Sequence, residues 1–137
     1  MKDFVPYNEA LKLKELGFNE PCYDNYNIYG KLWGLRLNKQ VKIKGACLAP
    51  TFSQAFRFFR EKYQWQASIE ATKDQHSHEL GYNYFIWNSE TGLEYHTMPK
   101  NCPSGDWEFE KYEDAELACL MKLIEITKNT TNETNGS

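Results

Sequence analysis

The stretch Pro50-Thr51-Phe52-Ser53-Gln54-Ala55-Phe56-Arg57-Phe58-Phe59-Arg60-Glu61-Lys62-Tyr63, followed after Gln64 by Trp65-Gln66-Ala67-Ser68-Ile69-Glu70-Ala71, changes its hydrophobic period midway. In the first half Phe52, Ala55, Phe56, Phe59 and Tyr63 recur every three to four residues, with Arg57, Arg60, Glu61 and Lys62 elsewhere and Phe58 off the stripe. That is the pattern of an amphipathic helix. Thr51 and Gln54 fit a capping box, in which each side chain satisfies the other's backbone N–H, and Pro50 prevents an earlier start. The second half alternates strictly, as a strand does. Residues 80–87 carry Leu80, Tyr82, Tyr84 and Ile86 on one face and Phe85 and Trp87 on the other, apolar on both sides near the end, as a central strand would be. Asn88-Ser89-Glu90-Thr91-Gly92 turns the chain into a further strand, 93–98.

Outward from this centre, residues 8–16 predict a first helix with Asn8 as N-cap, Gly17 in the left-handed position past its end, and Phe18 folded back on Leu13. Residues 22–29 and 31–37 predict a hairpin about Gly30. Val41-Lys42-Ile43-Lys44 predicts a short strand with both lysines on one face, ended by Gly45. Two prolines and a glycine in 99–106 mark a surface loop. Residues 113–128 predict a long last helix, with Glu113, Asp114 and Glu116 in its first turn, Lys128 at its end, and Leu117, Leu120, Met121 and Ile124 as its buried stripe. Strands joined by hairpin-length turns and flanked by helices give an α+β fold: a mainly antiparallel sheet of five to six strands with three helices packed on it. Its expected core joins Phe52, Phe56 and Phe59 to Leu117, Leu120 and Ile124.

The 137 residues suit a single domain, placed at 1–128, with 129–137 as a disordered polar tail. The aromatic fraction of 15% makes the expected core an aromatic one. No apolar run approaches the roughly 18 residues of a membrane span, and Met1-Lys2-Asp3-Phe4-Val5-Pro6 is too polar for a signal peptide, so the expected location is the cytoplasm. Cys22, Cys47, Cys102 and Cys119 are spaced by 25, 55 and 17 residues, with no C-x-x-C pair. In a reducing compartment such cysteines act as small buried hydrophobes, and neither zinc nor another cofactor is expected.

Charge is divided along the chain. Residues 31–73 hold nine basic and two acidic side chains, net +7, and residues 74–137 hold four basic and twelve acidic, net −8. Lys31, Arg36, Lys39, Lys42 and Lys44 occur with no acid among them, beside Trp33 and the tyrosines Tyr23, Tyr26 and Tyr29. Cations for phosphates and rings for bases are what single-stranded RNA, DNA or a nucleotide requires. The plainer account is a solvated strand face guarded by lysine. On the acidic side Glu90, Glu94, Asp106, Glu108 and Glu110 are expected as surface acids, with Trp107 as an exposed aromatic at the contact centre, a set suited to a basic cleft on a partner protein.

His76 and His78 in a polar loop, with His96 on a later strand, are metal-capable but read more simply as solvated histidines. Cys47 precedes a helix whose N-terminus lowers a nearby thiol pKa, yet no histidine is placed beside it by the sequence. With no phosphate-binding glycine loop, nucleophile elbow or H-E-x-x-H motif, the expectation is a protein that is not an enzyme.

Three blocks carry a resemblance: Gly17-Phe18-Asn19-Glu20-Pro21-Cys22, the helix segment from Ala49 through Tyr63, and Tyr112-Glu113-Asp114-Ala115-Glu116-Leu117-Ala118-Cys119-Leu120 with Lys122-Leu123-Ile124-Glu125-Ile126. In these the chain resembles a family of small uncharacterised bacteriophage and prophage proteins. It departs from their pattern at Phe58, where a Trp is usual, and across 27–45. The resemblance implies a setting, the bacterial host cell, and no catalytic residues. By analogy with small accessory phage proteins, it implies an anti-CRISPR-like or other counter-defence inhibitor that binds a host defence protein such as an RNA-guided nuclease. A monomer or weak dimer is expected.

Overall fold

The computed structural model describes residues 3–97 and 107–135, with side chains to residue 130. It is α+β: among the described residues, three helices and two antiparallel sheets, one of two strands and one of three. The elements run α1 (Tyr7–Glu15), β1 (Asp24–Tyr26), β2 (Cys47–Ala49), α2 (Phe52–Tyr63), β3 (Trp65–Lys73), β4 (Leu80–Asn88), β5 (Glu94–His96) and α3 (Tyr112–Asn135). The chain divides into two compact units, Met1–Phe58 with Ile124–Ser137, and Phe59–Leu123.

In the first unit α1 begins after Pro6, whose carbonyl accepts from Ala10 N, so Asn8 lies inside the helix and not at its cap. The end follows expectation. Gly17 takes φ +97°, its N–H reaches Lys14 O, and Phe18 N reaches back to Leu13 O at 2.9 Å. These two bonds form a Schellman motif. β1 pairs with β2, setting Asn25 opposite Leu48. Every residue of β2 is buried. At α2, Thr51 N donates to Gln54 Oε1 (3.0 Å) and Gln54 N to Thr51 Oγ1 (3.2 Å), the reciprocal pair of the capping box.

Two expected strands are absent. Residues 41–44 bend instead of extending, because Lys14 Nζ takes the carbonyls of Ile43 and Ala46, and Ala46 N closes a turn on Ile43 O. The 22–37 hairpin is reduced to two isolated bridges, Cys22 with Leu37 and Tyr26 with Leu32, with Trp33 N on Asn25 O and Asn27 N on Lys31 O between them, while β1 builds its regular ladder on β2. One large sheet therefore gives way to two smaller ones.

In the second unit β3, β4 and β5 pair in that order, with β4 central as its two-sided apolar pattern predicts. The first half of α3 covers the face that carries Trp65, Tyr82, Tyr84 and Tyr95. Tyr112 meets Tyr82 edge-on at 5.7 Å, and Lys122 Nζ lies 5.2 Å from the Tyr95 ring centre. Along α3 the buried residues are Ala115, Cys119, Leu120, Leu123, Ile124, Ile126 and Thr127, while Leu117 is half-buried and Met121 is 47% exposed. The helix thus turns its smaller side chains inward early on. It continues past Lys128 to Asn135, into the stretch expected to be an unstructured tail.

Candidate nucleic-acid interface

Within the first unit, residues 23–44 comprise β1 and the irregular loop that follows it, and side chains fix them in place. Asp24 Oδ1 accepts from Asn25 N (2.8 Å) and Gly34 N (2.7 Å), and Asn27 Oδ1 accepts from Tyr29 N and Lys31 N. Side chains of this kind replace a missing ladder as backbone partners. Gly30, at φ +77°, lies on the ring of Tyr7; a Cβ there would come within 2.6 Å of it. The Tyr7 hydroxyl donates to Gly45 O at 2.6 Å, so Tyr7 ties the loop to α1 at Gly30 and at its C-terminal end. Gln40 is the second anchor. Its Nε2 donates to Phe18 O, its Oε1 accepts from Leu48 N, and its backbone N–H donates to Asn19 Oδ1.

This scaffold holds apolar side chains out to solvent. Tyr23, Ile28, Tyr29, Leu32, Trp33, Leu35 and Ile43 are all exposed, with Tyr29 at 80% and Trp33 at 59%. Exposed apolar groups scattered singly need no explanation, but a concentration within one loop marks an interaction site. Among them stand Lys31, Arg36, Lys39, Lys42 and Lys44, every one exposed, and the sequence has no acid between Asp24 and Glu61. The Arg36 guanidinium sits 5.5 Å from the centre of the Tyr23 ring, within cation–π range. An open groove of about 1010 Å³ runs beside the loop, with Lys14, Leu37, Lys39, Lys42 and Ile43 in its walls. Tyr26 departs from the expected set: it is buried, with its hydroxyl on Val5 O at 2.7 Å. Burial raises its pKa, with smaller contributions from Cys47, Asp24 and Glu9.

The acidic set is not brought together around Trp107. That residue is 4% exposed, its ring lying so close over Gly81 that a Cβ there would collide with it. Only glycine leaves room for it, and Trp107 is a core residue instead of a partner anchor. Glu108 N donates to Asn83 Oδ1, Glu90 and Glu94 are exposed at the β4–β5 turn, and Glu110 is exposed before α3. Asp106, like Cys102, lies outside the described residues. The exposed tryptophan of this unit is Trp87, at 42%, opposite Glu94 in the β4–β5 register. Its position on the second face of β4 is legible in the sequence, but the alternation alone does not reveal that this face is left open.

Cys47 and the three histidines are the remaining chemical alternatives. Cys47 sits on β2 with no exposure, and burial pushes its thiol up to about 11 despite the opposing effect of Lys14. Burial also pushes Cys22 and Cys119 up to about 12, aided at Cys22 by Glu20 and Cys47 and at Cys119 by Glu116. These thiols are poor nucleophiles. His76, His78 and His96 form no metal site: among the described residues no three His, Cys, Asp or Glu side chains are placed to hold an ion. Asp74, buried at the β3–β4 turn, accepts from His76 N and Ser77 N and shapes the loop. No helix of the described residues is long and apolar enough to cross a membrane. In comparisons with protein-family models, curated proteins and solved structures, nothing matches the chain.

Proposed function

We propose that the protein works by binding rather than catalysis, and that residues 23–44 bind single-stranded nucleic acid. The observation that carries this reading is the outward display of Tyr29 and Trp33 among Lys31, Arg36, Lys39, Lys42 and Lys44. The rings stack on bases and the cations neutralise phosphates, a combination that tolerates any sequence. Titration of a labelled single-stranded oligonucleotide, followed by anisotropy between 50 and 200 mM salt, tests it. Binding should weaken steeply with salt, and Lys39→Ala, Lys42→Ala and Lys44→Ala together should reduce the slope of log K against log salt by about two. Trp33→Ala should lower affinity about 5- to 150-fold with the slope unchanged, the loss of one stacked base. Absence of binding at 50 mM salt would overturn the reading.

A second reading has its own observation. Trp87 stands exposed beside Glu94 and near Glu90, an apolar anchor with an acidic border that suits a basic protein surface. If the resemblance to phage proteins holds for function, such a partner would be a host defence protein, for example a nuclease with a basic guide channel. Capture of the tagged protein from host lysate, with and without ribonuclease, separates the two readings. A stoichiometric, ribonuclease-resistant partner lost in Trp87→Ala and in Glu90→Lys with Glu94→Lys supports the second; recovery of nucleic acid alone supports the first.

A further inference from the structure

Among the described residues, the outer edge of β3 has no backbone partner. Its partner β4 shows which backbone groups face outward. Tyr82 N donates to Phe109 O and Phe109 N to Tyr82 O, Thr97 N donates to Tyr84 O, and Asn88 N donates to Leu93 O. Tyr82, Tyr84 and Asn88 therefore turn their backbone groups away from β3. Because hydrogen-bonded and non-hydrogen-bonded pairs alternate in an antiparallel ladder, Gly81, Asn83, Phe85 and Trp87 bond to Thr72, Glu70, Ser68 and Gln66. The intervening residues, Trp65, Ala67, Ile69, Ala71 and Lys73, point their N–H and C=O groups out. Beyond the β4 ladder, residues 65–73 make no backbone–backbone bond among the described residues.

Native edges are usually blunted by proline, a bulge, short length or a row of charges. β3 has nine residues in unbroken register with β4, no proline, and one acid and one base, Glu70 and Lys73. Ala67, Ser68, Glu70 and Ala71 are exposed.

We propose that this edge pairs antiparallel with β3 of a second copy, about a two-fold axis through Ile69. In that register the outward residues meet one another: Ile69 faces Ile69 of the partner subunit, Ala67 faces Ala71 of the partner subunit, and Lys73 faces Trp65 of the partner subunit. Each free N–H finds a free C=O over all nine residues. Charge selects the register. Glu70 faces Ser68 of the partner subunit, and the strand is neutral as a whole, so the copies meet without repulsion. Moving the axis to residue 70 shortens the overlap and sets Glu70 directly against its own copy, a destabilising pair. Moving it to residue 68 shortens the overlap equally and leaves Lys73 without a strand opposite. The result is a continuous six-stranded sheet across the two subunits.

Sedimentation over 1 μM to 1 mM, with amide exchange read residue by residue, tests the proposal on the full chain. Dimerisation should protect the amides of Ala67, Ile69 and Ala71 as concentration rises. Ala71→Pro removes an outward N–H and leaves every bond to β4 in place, so it should yield a folded monomer. Ser68→Glu puts two like-charged pairs across the axis and should weaken the dimer about 2- to 30-fold, and Ser68→Lys should tighten it by a similar factor. A monomer at 1 mM would overturn the proposal. So would a dimer indifferent to the Ser68 substitutions, or one in which these three amides exchange equally fast at all concentrations.

Discussion

Phe58 and Phe56 show how much depends on which side of a helix a ring takes. Phe58 is 7% exposed and meets Phe18 edge-on at 5.5 Å, whereas Phe56 is half-buried and stacks obliquely on Phe52. Phe58→Ala should cost about 3 to 5 kcal/mol, and Phe56→Ala clearly less, as read from urea midpoints. Periodicity puts Phe56 on the stripe and Phe58 off it, because positions 52, 55, 56, 59 and 63 recur at helical spacing; the buried face is turned toward Ala55, Phe58 and Phe59 instead. What separates Phe58 from Phe56 is Phe18, which returns over α1 through the Schellman turn. Gly30 is a second sensitive position. Gly30→Ala meets both a left-handed φ and the Tyr7 ring, so a loss of about 1 to 3 kcal/mol is expected, together with weaker oligonucleotide binding.

Among the elements, α2 was the most legible because its start is written in adjacent residues. Thr51→Ala should cost about 1 kcal/mol in the same urea titration. Replacing Gln54 with Ala removes the reciprocal bond and also the one from its Nε2 to Pro21 O. β3 and β4 were legible from alternation, and the central place of β4 from its two apolar faces. β2 was not. Three residues, all buried, have no period to read, and Gly45 and Pro50 on either side look like loop punctuation. Residues 41–44 failed in the opposite way: alternation was present, but the carbonyls were claimed by Lys14 on a different element. The candidate interface was legible as composition, since its cations and rings lie close together in sequence, but its anchors Tyr7, Lys14 and Gln40 were not, because they act from a distance.

For the molecule as a whole, the buried thiols set an alkaline limit. Well below pH 9, near neutrality, Cys22, Cys47 and Cys119 are protonated in both folded and unfolded chains and do not affect the pH dependence of stability. Above their ordinary value of 9.0 the unfolded thiols ionise, while the buried ones keep their protons to about 11 or 12. Stability should therefore fall as pH rises from 9 towards 12, and Tyr26, Tyr63 and Tyr112, also raised by burial, add to the fall above pH 10. Urea midpoints between pH 8 and 11 measure it, and the decline should be shallower in Cys119→Ala.

The four tryptophans give the divided charge an optical signature. Trp65 and Trp107 are buried, and their emission should lie to the blue and resist quenchers; Trp33 and Trp87 are open to collision. Trp33 stands among lysines and Trp87 beside Glu94, so the local potential sorts the ions that reach them. At low ionic strength iodide should extinguish mainly Trp33 and caesium mainly Trp87, and neutral acrylamide should reach both alike. Screening at 1 M salt, where the Debye length is about 3 Å, should erase that preference and leave the buried pair glowing.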